Sequence, residues 1–160
     1  MYKKILVALD MTGLSDSVFE QALQLASLTT DSELLLFHVL SGSENQSPPM
    51  PIPSAAEFPV FPTPNDQTLK SWQMAWDNYR EEGRDFLAQH ADIAAAQGVT
   101  VTFEQIDGDA GQLICKRAES WSADLIMVGR HGHHGLSEWL LGSISNYVLH
   151  HAPCPLLVVQ

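Results

Sequence analysis

The chain has 160 residues, 45% of them hydrophobic and 17% charged, a balance that suits one globular domain over residues 1–160 with its own core. Its 19 acidic and 8 basic side chains leave a formal net charge of −11, which disfavours nucleic acid and anionic membrane surfaces as partners. No apolar run approaches the length of a membrane span or a signal core, so a cytoplasmic protein is expected, and Cys115 and Cys154 are too few and too isolated for a disulfide framework.

Lys4–Asp10 (KILVALD) is a nearly continuous apolar run ending in a carboxylate, the pattern of a strand buried on both faces. Thr12 to Ser17 supply turn and cap residues, and Val18–Leu28 carries apolar Val18, Ala22, Leu25 and Ala26 at helical steps. Glu33–Leu40 (ELLLFHVL) is a second buried strand, and strand–helix–strand implies a parallel pair with a right-handed crossover. The stretch from Ser41 to Pro64 holds prolines 48, 49, 51, 53, 59, 62 and 64 and reads as an irregular insertion at about 41–65. Its Met50, Ile52, Phe58, Val60 and Phe61 favour packing over a surface.

Asp66–Gln97 is expected to be one long amphipathic helix, with Leu69, Trp72, Trp76, Tyr79, Phe86, Leu87, His90, Ile93 and Ala94 at three- and four-residue steps and Gly98 as its stop. Trp72 and Trp76 read first as core positions; in a lid they would cover a bound base. Val99–Ile106 alternates as a third strand, Gln112–Ser120 is a short helix, and Ala123–Val128 is a fourth buried strand. Ser143–His151 is a helix stopped by Ala-Pro-Cys-Pro, and Leu156–Val159 is the last strand. Five strands alternating with four helices point to an open parallel sheet with helices on both faces.

In such sheets ligands bind beyond the carboxyl ends of the strands, where strand order reverses. After the fourth strand comes Gly129-Arg130-His131-Gly132, then nine residues, then Gly142-Ser143. Glycines allow backbone to approach a phosphate closely, and a helix opening at Gly142-Ser143 offers free N–H groups and a favourable dipole. Ser143 would cap that helix or donate to a phosphate oxygen. Read as bare glycines, the same positions would simply shape loops.

The Gly-x2-Gly-x9-Gly-Ser spacing resembles the nucleotide-binding branch of the universal stress protein family. The resemblance extends through the opening KKILVALD, His38-Val39 at the end of strand two, and the closing LLGSISNYVLHHAPCPLLVV. It implies an adenine nucleotide alpha-hydrolase-like fold with sheet order 3-2-1-4-5, binding ATP or another adenine nucleotide with or without Mg²⁺, and forming a homodimer through the C-terminal strand. By position it places Ala8 and Asp10 at adenine and ribose, and the backbone of Val39 at adenine. It places Val128, Gly129, Arg130 and Gly132 along ribose and phosphates, and Gly142, Ser143, Ile144 and Ser145 at the phosphates. A carboxylate at Asp10 suits ribose hydroxyls, since it accepts two hydrogen bonds. The turn after it departs from the family, with Met11-Thr12-Gly13 where Gly-Ser is frequent.

Thr12–Ser17 also resembles the Ser-Gly-Gly-x-Asp-Ser loop of adenylating ATP pyrophosphatases, but Leu14 replaces the second glycine, and a helix-capping turn fits better. There is no Gly-x4-Gly-Lys-Ser/Thr. His131, His133 and His134 lack a cysteine or carboxylate at metal-site spacing, so a solvated loop is the simpler reading; when charged they would favour phosphate at mildly acidic pH. With no catalytic or metal residue set apparent, the sequence reads as a regulatory stress protein that senses adenine nucleotide and changes its contacts with a protein partner. A slow ATPase or adenylating enzyme, and a nucleotide-free scaffold, are the alternatives.

Overall fold

The computed structural model describes residues 2–44, 46–51, 66–130 and 142–160. In chain order its elements are β1 (Lys4–Ala8), α1 (Leu14–Ser27), β2 (Glu33–Leu40), α2 (Asp66–Ala96), β3 (Thr100–Asp107), α3 (Ala110–Trp121), β4 (Leu125–Gly129), α4 (Ser143–His151) and β5 (Leu156–Val159). The strands form one sheet in the order β3-β2-β1-β4-β5, and every neighbouring pair is parallel. The expected open α/β sheet is thus the one observed.

The central strands are apolar on successive residues because each face of the sheet is covered. Ile5, Val7, Leu34, Leu36, Leu125 and Met127 point into one layer with Val18, Phe19, Ala22, Ala26, Leu87, Ala91 and Ala94 of α1 and α2. Leu6, Leu35, Phe37, Ile126 and Val128 point into the other with Ile114 and Ala118 of α3 and Val148 of α4. The period-two alternation of strand side chains divides these sets, and each large apolar side chain so enclosed contributes about 1.5–3 kcal/mol.

The turn after β1 shifts two boundaries from the sequence reading, for one local reason. α1 starts at Leu14 instead of Val18, with Gly13 at the N-cap position and no side-chain cap. Ser15 is therefore inside the helix, and its hydroxyl turns back to Asp10 instead of capping. β1 correspondingly ends at Ala8; the Leu9 N–H still donates to Phe37 O at 2.9 Å, and the Asp10 N–H donates to Ser15 Oγ at 2.9 Å. α3 runs longer than expected at both ends. Asp109 caps it by accepting from the Gln112 N–H at 2.9 Å, and left-handed Ser122 (φ 56°) closes it.

α2 lies on the sheet through Tyr79, Gly83, Leu87, His90, Ala91 and Ala94. Gly83 is required there by close approach: a Cβ would lie 2.5 Å from Gln105 Nε2 and 2.9 Å from the His38 ring. At the far edge of the strands, Asp124 Oδ2 accepts the N–H groups of Lys3 and Lys4 at 3.0 and 2.9 Å, tying β1 to β4. Those bonds hold the Asp124 carboxyl below its ordinary range, the Lys4 N–H contributing most.

Candidate functional site

Above the carboxyl ends of β2, β1 and β4 the structure opens into a cavity of about 620 Å³. That volume is in the usual range for a small-molecule or cofactor site. β1 is the strand at which the chain order turns, with β2 on one side and β4 on the other. The cavity therefore has two dissimilar ends and a middle.

At the β4 end stand Val128, Gly129 and the opening turn of α4, Gly142 to Ser145. The first bond of that turn runs from the Asn146 N–H to Gly142 O at 2.9 Å, so the N–H groups of Ser143, Ile144 and Ser145 have no acceptor inside the helix. Buried Ser145 donates its hydroxyl to Gly129 O at 2.9 Å, which fixes the start of α4 against the end of β4. Its hydroxyl proton is thereby committed, and its main-chain N–H is what it offers a ligand. Gly129 is small because Leu14 and Val18 of α1 close on it; a Cβ there would lie 2.9 Å from Leu14 Cδ2.

Asp10 occupies the middle. Its Oδ1 accepts from Thr12 N–H at 3.1 Å, Thr12 Oγ1 at 2.6 Å and Ser15 Oγ at 2.8 Å. The turn after β1 thus wraps around the carboxylate and sets its position.

At the β2 end the wall is Phe37, Val39, Ser43, Glu44, Gln46 and, from α2, Tyr79. Glu44 Oε1 accepts from His38 Nε2 at 2.9 Å, and Oε2 accepts from Tyr79 O–H at 2.8 Å and the Ser41 N–H at 3.4 Å. His38 Nδ1 faces the Gln105 amide nitrogen at 3.1 Å, which supplies a donor and leaves the ring proton on Nε2, toward Glu44. Burial, and after it the Glu44 carboxylate, pushes the Tyr79 phenol well above its ordinary range, so it remains a donor.

Of the residues expected from the sequence, Ala8, Asp10, Val39, Val128, Gly129, Gly142, Ser143, Ile144 and Ser145 all wall this one cavity, as do Met11 and Thr12. Arg130 instead prolongs the β4–β5 pairing, its N–H donating to Val159 O at 2.8 Å. Gly132, the histidines at 131, 133 and 134, and most of the Pro-rich insertion (52–65) lie outside the described residues. Glu44, Gln46 and Tyr79 are absent from the expected set. The available signal was His38 itself, a polar residue in an otherwise apolar buried run, which needs a partner.

Trp72 and Trp76 are half-buried and sit in neither apolar layer, unlike the core placement expected of them. They wall a second concavity with Leu40, Arg80 and Asp107. Trp76 packs edge-on against Tyr79 with ring centres 5.7 Å apart. Among the described residues, no group of three or more His, Cys, Asp or Glu is placed to hold a metal ion, and no helix is long and apolar enough to cross a membrane.

A model of the universal stress protein family matches residues 1–160. A universal stress protein of Synechocystis sp. is 31% identical over 163 residues, covering 99% of this chain and 98% of its own. The solved structure of a universal stress protein in complex with cAMP has a TM-score of 0.63 at 19% identity, covering 99% of this chain and 97% of its own. A family protein from Arabidopsis thaliana with AMP bound has a TM-score of 0.61 at 19% identity, covering 98% and 90%. At that identity the likeness to the solved structures is one of fold.

Proposed function

Because the chain belongs to the universal stress protein family, we propose that it binds an adenine nucleotide (ATP, ADP or AMP) in the cavity above β1, β2 and β4, and uses occupancy to regulate a protein partner. The observation that carries this reading is the polarity of the cavity: one end is the start of α4, the other the Glu44 carboxylate with the donors that hold it, with Asp10 between. In a chain of net charge −11, the phosphates go to backbone N–H groups and the positive end of a helix dipole. Gly142, Ser143, Ile144 and Ser145 hold them, with Gly129, Arg130 and Gly132 along their path. Asp10 takes the ribose, and Ala8, Val39 and Val128 take the base and its sugar edge. The relatives solved with cAMP and with AMP support the choice of adenine.

With ATP, Mg²⁺ would accompany the phosphates. The reading is of one cytoplasmic domain that binds without rapid turnover, since Asp10 is tied to three donors and suits holding a hydroxyl better than moving a proton. A homodimer through β5 completes it: that strand is at the sheet edge, and Leu157 on it and Leu149 on α4 are exposed.

Ser143→Asp tests the reading. An acidic residue in the first turn favours the helix by about 0.3–1 kcal/mol, so the fold is kept. At about 6 Å from a phosphate and an effective dielectric of about 40, the added charge costs about 1.4 kcal/mol per phosphate charge, or about tenfold. Calorimetric titration should show ATP weakened at least about tenfold, AMP less, and adenosine within about twofold. Wild type binding none of the three, or S143D leaving ATP unaffected, would overturn it.

A further inference from the structure

Glu44 and the side chains around it are not needed to hold phosphates or ribose, yet they form an organised polar group on the cavity wall. Four elements converge on it. Glu44 comes from the turn after β2, His38 from β2 itself, Tyr79 from α2, and Gln105 from β3. The Glu44 side chain is 12% exposed and that of His38 1%.

A carboxylate so enclosed has to be met by donors, and each neighbour is one: His38 Nε2–H, Tyr79 O–H and the Ser41 N–H. The Gln105 amide sets the His38 tautomer that makes the first of these possible. Glu44 is thereby held in one orientation. A carboxylate offers about four lone-pair directions. Three donors from the protein leave one direction for a donor from the cavity.

Glu44 also stands at the end of the cavity away from the α4 start. An anion there repels phosphate and fixes which way round a nucleotide enters.

We infer that Glu44 reads the base: it accepts a hydrogen from the exocyclic amino group of a 6-aminopurine, and it excludes a 6-oxopurine, whose carbonyl would meet the carboxylate acceptor to acceptor. Tyr79 and His38 are positioning residues that act through Glu44. This rests on the nucleotide reading above, and adds to it the selection of adenine over hypoxanthine and guanine. A site built around one polar partner discriminates most strongly against the analogue that leaves that partner unmatched.

AMP and IMP differ only at position 6 and in the N1 hydrogen that accompanies the 6-oxo group, so their affinity ratio is the readout. Calorimetric titrations of both nucleotides are run on wild type, Glu44→Gln and Tyr79→Phe. Wild type should prefer AMP by about tenfold or more. E44Q keeps the shape but presents either an acceptor or a donor, so the ratio should fall to within about threefold, mainly through tighter IMP. Y79F frees one carboxylate oxygen and should give an intermediate ratio with AMP itself bound nearly as before; it decides the matter should E44Q not fold. A merely structural network would change thermal stability in both variants and leave the ratio alone, and that result overturns the inference. Equal binding of AMP and IMP by wild type also overturns it while leaving the nucleotide reading intact, whereas failure of both to bind overturns the two together.

Discussion

Gly83→Ala sets two physical effects of opposite sign against each other. In the interior of a 31-residue helix, glycine to alanine gains about 1 kcal/mol of helix propensity. Here the new methyl group would lie 2.5 Å from Gln105 Nε2 and 2.9 Å from two atoms of the His38 ring. Gln105 can swing away, but only by losing its bond to His38, about 1 kcal/mol. His38 is buried and held by Glu44, so α2 must lift or the ring must turn, an overpacking cost of about 1–3 kcal/mol. The sum is a net destabilisation of about 1–3 kcal/mol, or a Tm lower by roughly 2–12 °C for a chain of this size. Urea unfolding followed by circular dichroism measures it. A variant about 1 kcal/mol more stable than wild type, as propensity alone dictates, would show that α2 does not rest on this polar pair.

Gly111→Ala should likewise destabilise by about 1–3 kcal/mol in calorimetry, since its Cβ would meet Tyr147 Cδ1, Cγ and Cβ at 2.8–3.0 Å, close to the root of a side chain that cannot swing clear. Asp124 has a depressed folded-state pKa, so its contribution is present above the ordinary carboxylate value of about 4 and fades as pH falls through the folded value. Asp124→Asn should therefore lose about 0.5–1 kcal/mol at neutral pH, a figure discounted for solvent exposure, and match wild type near pH 2 when urea midpoints are compared across pH. Leu157→Lys, on the exposed face of the edge strand, should give a monomer in sedimentation equilibrium without loss of helical circular dichroism; an unchanged dimer would move the interface elsewhere.

The sheet was legible because β1, β2 and β4 are so uniformly buried that their composition admits little else, and ELLLFHVL maps onto β2 without a slip. The ends of elements were less so. Thr12 and Ser15 carry the side chains of helix caps, but both turn to the Asp10 carboxylate, a local competition that residue type alone does not decide. The β4 end of the cavity could be anticipated because its glycines and serines are spaced along the chain around one strand and one helix start. The β2 end could not, for its bonds join residues 35 and 67 positions apart, Tyr79 to Glu44 and Gln105 to His38. Trp72 and Trp76 share the helical period of core residues but line a concavity with Leu40 and Asp107, where β2 and β3 end, which periodicity does not register.

The edge-on contact between Trp76 and Tyr79 gives the protein an optical property of its own. One ring contact and one hydrogen bond connect that indole to the cavity wall, and Trp72 follows it at 6.1 Å. Trp121 lies elsewhere, under the Lys4 ammonium, and does not line the cavity. Of the chain's four tryptophans, Trp139 lies outside the described residues; in a Trp139→Phe variant intrinsic fluorescence should separate into a pair of emitters that respond to ligand and one that holds steady, so occupancy can be followed in real time without dye, tag or radiolabel.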